Sequence, residues 1–389
     1  MAITTNYTDV GYVAEVTEGT TPASPAFQLI PTTGGSVVAN IATAQSQVIR
    51  QDRQTDDLIV TDLDLSGDLN YELSYAPYKP LLLSLMQNTV TRSIAITAAT
   101  ANGTGSIVAK ASIEATVAVG DVFTLTSAAD PALDGVYTCI DNTTTAGQIV
   151  VYPDLPAATV PGTALDVVIT ATTIVGNGAT TPDSYTFRKR VINGGTTYYW
   201  YHTGCKVNSM NFSFATGSIL TGALNLVGMQ ESIGTTAIAG ESTVAVPAYD
   251  LLNSVSSVGA IYVEGEVLGT ASFTTINLTV DNQTTPAKAI GTLGAIGTNS
   301  MSLQVTASVE IHFADLSLYT KFKNSTGFSM TMILSDASGN SLGINLPNTK
   351  FETLDTPVPG IDQHLMQSGT IRGLRDLVNN EMIKLSFIG

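Results

Sequence analysis

Four carboxylates, Asp62, Asp64, Asp68 and Glu72, fall at even positions along one stretch, with no basic residue between them. Such a row could chelate a cation, supply paired acid and base, or repel a polyanion. Calcium loops gather their oxygens around a sharp glycine turn, whereas side chains alternating along an extended strand diverge over many ångströms. The row therefore reads as a charged surface, either an ordinary solvated strand face or the lining of a pore. Other chemistry is poorly supplied. His202, His312 and His364 sit in unrelated contexts, and neither His-x-x-x-His nor CxxC spacing occurs, so zinc and histidine-based sites are excluded. Gly103-Thr-Gly105 and Gly176-Asn-Gly178 are turns, since neither lies between a strand and a long helix. No catalytic residue, cofactor-binding residue or metal ligand is assigned, and the chain is read as a non-enzyme.

The carboxylates need a strand to hold them. Leu63, Leu65, Leu69, Tyr71 and Leu73 alternate with them in a two-residue period, which predicts one buried and one wet face. Leu81, Leu82, Leu85 and Met86 then predict a short helix opened by Pro80 and closed around Asn88. The pattern returns from Asn299 to Asn324. Met301, Leu303, Val305, Ala307, Val309, Ile311 and Phe313 alternate with polar residues including Glu310, and a helix follows with Asp315 as its expected N-cap. Glu72 is expected to answer Glu310, Leu82 to answer Leu318 and Asn88 to answer Asn324, as in an internal duplication. This recurrence favours the pore lining over a plain solvated face.

The chain has 389 residues, 44% of them hydrophobic and only 12% charged, with a positive mean hydropathy of +0.23. A surface so sparsely charged suits a subunit covered by other copies. The net charge of -16 lacks the basic footprint of a nucleic-acid grip. The amino terminus has neither a basic leader nor an apolar core segment, and no run approaches the roughly eighteen apolar residues of a membrane span. Cytosolic synthesis, no membrane insertion, and reduced buried thiols at Cys139 and Cys205 are expected.

In chain order, residues 1–26 read as an irregular arm, Ala42 to Asp57 as the loop of a first hairpin, and Asp281 to Gly297 as its counterpart in the second copy. The second copy enters its next strand at Phe328 soon after its helix, whereas the first waits until Tyr185. Residues 92–178 therefore read as an inserted small β domain on the outer surface, interrupting a main domain made of 1–91 and 179–389. Strands are predicted in it at Ser106–Val108, Asp121–Thr126, Gly135–Ile140, Gln148–Tyr152 and Leu165–Thr170. Tyr198 to Tyr201 reads as a half-buried strand or a subunit contact, and Arg188-Lys189-Arg190 as a cluster paired with acidic neighbours.

Alternating strands of about a dozen residues span roughly 40 Å. Left open, such a sheet exposes long unpaired edges, and closing several copies into a ring removes them while leaving a channel. With the apolar faces outward, Asp62, Asp64, Asp68, Glu72 and Glu310 would line the bore. Duplex DNA would be repelled over the roughly 10 Å that salt permits and would slide.

These residues resemble the major tail tube proteins of long-tailed, siphovirus-like bacteriophages. The resemblance rests on Glu15-Val-Thr-Glu-Gly-Thr-Thr-Pro22, Val48-Ile-Arg-Gln-Asp-Arg53, the strand ending in Glu72-Leu73, Leu278-Thr-Val-Asp-Asn282, the strand and helix Val305 to Asn324, and Asp336-Ala-Ser-Gly-Asn340 with Pro347. It implies a mainly β, duplicated tail-tube fold with short helices, in hexameric rings to which each subunit gives two hairpins. The rings stack into a virion tail tube that carries phage DNA without tight binding. It also implies a tape measure protein, a tail terminator and distal tail or baseplate proteins as partners. Inter-ring contacts are expected at Arg50, Asp52, Arg53, Asp56, Asp57, Asp281 and Asn282. The competing reading is a β-rich, fimbria-like adhesin whose inserted domain binds a receptor or glycan.

Overall fold

Alternating side chains make strands, and strands make most of this molecule. The computed structural model describes residues 7–49, 51, 54, 57–87, 89–96, 98–100, 106–113, 116–127, 131–143, 145–155, 167–175, 183–264, 266–267, 273–358, 360–377 and 381–388. The chain opens with β1 (Thr8–Ala14), β2 (Ala26–Leu29), β3 (Gly34–Gln45), β4 (Leu58–Glu72) and helix α1 (Lys79–Met86). Next come β5 (Thr89–Ala95), β6 (Ala98–Thr100), β7 (Ser106–Ala109), β8 (Val122–Ser127), β9 (Gly135–Asp141), β10 (Gln148–Tyr152) and β11 (Val167–Val175). The first half then resumes with β12 (Tyr185–Asn193), β13 (Thr196–Ala215), β14 (Thr221–Gly228), β15 (Gln230–Gly234) and β16 (Ser242–Val244). The second half holds β17 (Val258–Val263), β18 (Glu266–Val267), β19 (Phe273–Asp281), β20 (Thr285–Lys288), β21 (Ala295–Asn299), β22 (Gln304–His312) and helix α2 (Ser317–Lys323). It ends with β23 (Phe328–Ser335), β24 (Ser341–Asp355), β25 (Met366–Gly373) and β26 (Lys384–Ile388).

An antiparallel wall runs through the molecule in the order β3-β4-β14-β13-β19-β22-β25-β24. The two halves repeat one order of pairings, β3-β4-β14-β13-β12-β1 in the first and β19-β22-β25-β24-β23-β17 in the second. Even the bulge recurs, between Val207 and Ser209 on β13 and between Phe351 and Thr353 on β24. Aligning the bulges corrects one expected match. Glu72 lies opposite Thr221 and His312 opposite Met366, so Glu72 shares its place with His312, and Glu310 shares its place with Asn70. Both strands alternate, so alternation alone left the register free by two residues.

The dry face of the wall forms the main core. Leu65, Leu69 and Tyr71 of β4 meet Phe212, Leu224, Leu278 and Val309 from the neighbouring strands, under Leu81, Leu82 and Leu85 of α1 and Leu318 of α2. Each fully buried leucine contributes about 1.5–3 kcal/mol. The Tyr71 hydroxyl donates to the Asn211 carbonyl at 2.7 Å and that of Tyr78 to the Pro31 carbonyl at 2.6 Å, so neither buried phenol is left unpaired. Pro80 sits in the first turn of α1, and Gln87 closes it in a left-handed conformation at φ 64°. Asn88 lies outside the described residues. The N-cap of α2 is Leu316 rather than the expected Asp315, which lies one residue earlier and accepts the Ser317 N–H at 2.8 Å.

The arm is more ordered than its composition suggests. β1 pairs with β12 along its whole length, and the two acids of Glu15-Val-Thr-Glu18 anchor the turn after it. Glu15 accepts from the Gly19 and Gly204 N–H groups at 2.8 and 2.9 Å and from the Thr186 hydroxyl at 2.7 Å. Glu18 accepts from Lys206 at 3.0 Å and from the Thr298 N–H at 2.8 Å, tying the first half to β21.

Residues between α1 and β12 have a core of their own, built on Val108, Phe123, Leu125, Cys139, Ile149 and Val151. β5 and β6 were not foreseen. β11 pairs with β5 and β8 and also with β26, so this module is joined by hydrogen bonds to the second half, although it interrupts the first. Val122 packs with Tyr262, Ile333 and Ile388 at the junction. Beneath them Lys384 is fully buried, 2.8 Å from Asp121 and 2.9 Å from Glu381. Burial pulls the Lys384 pKa down, but the two carboxylates together outweigh burial and the net shift is upward.

Lys384→Met leaves two buried acids without their cation and is expected to lower stability by about 3–5 kcal/mol, read by chemical denaturation and by loss of hydrogen-exchange protection in β11 and β26. Glu18 is partly buried, which raises its pKa, yet hydrogen bonds from Thr298 and Lys206 bring the net value down. Its contribution is therefore full above its unfolded pKa of about 4.3 and is lost as pH falls through the folded value. Limited proteolysis of the arm is expected to accelerate in that acidic window in the wild type, and Glu18→Gln is expected to remove the pH dependence.

Candidate functional site

The opposite face of the wall is wet. It begins at β4, where the even-numbered acids point away from the core as the alternation required, but they are not an unbroken negative row. Lys288, on β20, pairs with Asp62 and reaches Asp64 at 2.6 Å. These hydrogen bonds lower the Asp62 pKa and raise that of Lys288. The pair is largely open to solvent, so it sets local charge more than stability. Asp68 stays exposed and accepts from the Asn225 amide at 2.6 Å, while Glu72 is half-buried at the end of the strand.

Beyond β4 the face is lined mostly by neutral groups. The Asn208 amide donates to Asn225 at 3.0 Å, Asn211 to the Thr279 hydroxyl at 3.1 Å, and the Ser213 hydroxyl to Asn277 at 2.7 Å. These cross-strand bonds link β14, β13 and β19 without a charged residue. The face then hollows into a concavity where exposed Glu310 stands with Asn277, Ser308, Asp355, Ser368 and Thr370. At its margin Arg372 meets Glu352 at 3.4 Å. Asp62, Asp64, Asp68, Glu72 and Glu310 thus lie on one continuous sheet face, spread across strands that the linear sequence keeps far apart. Sequence reading missed Lys288, Asp355 and the amide and hydroxyl ladder. Lys288 escaped because it lies in a stretch expected to be loop, and the amides because they are isolated polar residues among ordinary alternation.

The positions expected at ring contacts separate. Arg50, Asp52, Arg53 and Asp56 lie outside the described residues. Asp57 is exposed at the start of the hairpin's return strand. Asp281 is held within the wall, opposite Ser209 and Gln304. Asn282 is buried and donates to the Leu85 carbonyl of α1 at 2.9 Å, so it serves the internal core and offers nothing to a neighbour. The expected loop 281–297 also contains β20 and the start of β21, folded back on β14 and carrying Lys288.

Other candidates resolve into packing. Arg188 is buried between Asp9 at 3.1 Å and Glu241 at 2.6 Å and stacks on Phe27. Arg190 also pairs with Asp9, and Lys189 covers Trp200. Tyr199 and Tyr201 stack within β13, where Tyr201 donates to Glu241 at 2.5 Å. His312 and His364, expected apart, meet edge to face at 5.5 Å between ring centres. Among the described residues no group of His, Cys, Asp and Glu is arranged to hold a metal ion, and no helix is long and apolar enough to cross a membrane. The wet face can present a long, hydrated, net-acidic surface.

No curated protein sequence matches the chain. A family model described as phage tail tube protein matches residues 5–373, which takes in every strand of the wall and the β5–β11 module. With its mainly β architecture and that match along nearly its whole length, the chain belongs to the phage tail tube protein family.

Proposed function

We propose that copies of this chain close into rings with the wet face inward, and that the rings stack into the tube through which phage DNA travels. Family membership makes the chain a structural component of a phage tail. The observation that carries the finer reading is the continuous polar face from β4 to β24, backed by the dry face of the main core on which α1 and α2 pack. Exposed Asp68 and Glu310 give that face its negative sign, and the amide ladder gives it hydration without a cationic grip. Lys288 neutralises part of the row, so the repulsion is centred on Asp68, Glu310 and Asp355.

The resemblance implies six protomers, each with two wall hairpins. Here each chain supplies eight wall strands in two similarly paired halves, and we read the six-fold repeat at the level of half-chains, with three chains to a ring. Strands about 4.8 Å apart and tilted about 40° make about 24 strands a circle about 48 Å across, and about 48 strands a circle about 95 Å across. The smaller circle already clears a duplex with a screening length of about 10 Å on each side.

Stacking is assigned to the tip of the β3–β4 hairpin. Ile41, Val48, Leu58, Ile59 and Val60 are exposed there and Ile49 is 98% exposed, a concentration of apolar surface that signals a covered interface. The module of β5–β11 docks on β26 and β23, away from the wet face, and is assigned to the outside of the tube. A tape measure protein inside, a terminator at one end and distal tail or baseplate proteins at the other complete the partners.

Electron micrographs of the purified protein with its initiating tail proteins are expected to show rings or tubes, with three copies per ring by native mass spectrometry. A particle that stays monomeric under every condition would defeat the reading. Asp68→Lys with Glu310→Lys is expected to leave assembly intact and slow DNA delivery at least tenfold at low salt, less at high salt. Unchanged delivery would remove the wet face from the bore.

A further inference from the structure

The wall ends on two uncovered edges. β3 pairs only with β4, and β24 beyond Thr349 pairs only with β25, among the described residues. Inside the molecule the corresponding edges are already joined, where the end of β13 meets β19. Granting the tube reading above, we propose that the end of β24 in one copy pairs antiparallel with β3 of the next copy in the register of this internal seam.

The register comes from the two repeated halves. With the bulges superposed, Val207, Ser209 and Asn211 of β13 take the places of Phe351, Thr353 and Asp355 of β24. On the partner edge, Asn277 lies opposite Ser308 as Ser36 lies opposite Asp68, so Asn277, Thr279 and Asp281 take the places of Ser36, Val38 and Asn40. The internal pairs Ser209–Asp281 and Asn211–Thr279 translate into Thr353–Asn40 and Asp355–Val38 between copies, on the wet face. On the dry face, Met210–Val280 and Phe212–Leu278 become Leu354–Ala39 and Thr356–Val37. Val358, 91% exposed in the single chain, would then lie beside Gly35.

The backbone permits this pairing. In the internal seam, Thr216 donates to the Thr274 carbonyl at 3.1 Å and Asn282 to that of Asn208 at 2.8 Å, so the even-numbered residues of β13 exchange hydrogen bonds with β19. In the same register their counterparts Leu354, Thr356 and Val358 would turn their N–H groups to the uncovered edge. Pro357 takes the place of Ser213, whose N–H faces the other way, so the N–H that proline lacks is not one the seam uses. In the single chain the Thr356 N–H is held by the Asp355 carboxylate at 2.8 Å, a local stand-in that a neighbouring strand would replace. Six wall strands separate β3 from β24 within one copy, and among the described residues the two do not pair there.

Cysteine pairing reads the register. Asp355 and Val38 would form a pair without mutual hydrogen bonds, with Cα atoms about 4.5 Å apart, inside the disulfide range of about 4.4–6.8 Å. The native Cys139 and Cys205 are buried, and burial pushes both thiols up, so they stay out of a mild oxidation. Tubes of Val38→Cys/Asp355→Cys are expected to give covalent multimers on a non-reducing gel, and Asn40→Cys/Thr353→Cys the same result at an independent site. Val38→Cys/Thr356→Cys places the thiols on opposite faces and is expected to stay at single-chain mass. If tubes are seen but both matched pairs remain single chains, the seam is overturned and the tube reading survives. If the unmodified chain forms no ring with its initiating proteins, the tube reading itself falls.

Discussion

Backbone hydrogen bonding at sheet edges governs this molecule. A strand buried on one face and wet on the other can extend to many residues, but each edge carries unpaired N–H and C=O groups that must find partners or remain a liability. Within the chain the problem is solved repeatedly in the same way. β14 covers β4, β25 covers β22, and β19 covers the end of β13. Only the first and last strands of the wall keep an open edge among the described residues, and these are the edges that the proposed seam between copies would cover.

Charge is distributed to suit that piece. Where ions are buried they are paired and structural, as Lys384 is with Asp121 and Glu381 at the module junction and Arg188 with Asp9 and Glu241 under the arm. Breaking such a set is costly because it strands a charge in a poor solvent. Unpaired acids sit instead on the wet face, where water carries the cost of their charge. The same overall deficit of bases thus leaves paired ions inside and a net-acidic surface outside.

Much of this was legible in the residues. The alternation of Leu63 to Leu73 and of Met301 to Phe313 gave both central strands, and the gap between Asn88 and Tyr185 drew attention to a stretch whose buried residues form a cluster of their own. Register was harder, because a period of two is unchanged by a slip of two residues, and Glu310 fell at the place of Asn70 rather than Glu72. β1 was hidden by a glycine and short polar residues in a segment whose order comes from pairing with β12. Asn282 looked like loop, and its burial depends on α1 arriving from almost two hundred residues away in sequence. Lys288 went unassigned because nothing in a linear sequence places β20 beside Asp62 and Asp64.

The central claim is geometric: the face bearing Asp68 and Glu310 encloses the channel while α1 and α2 lie outside it. An electron cryo-microscopy map of the assembled tube, at a resolution that separates strands, tests this most directly. A continuous cylinder is expected, in which β4 and β22 run along the bore and both helices sit at larger radius. A tube with the helices toward its axis, or with β3 and β24 far from any neighbouring copy, would contradict it.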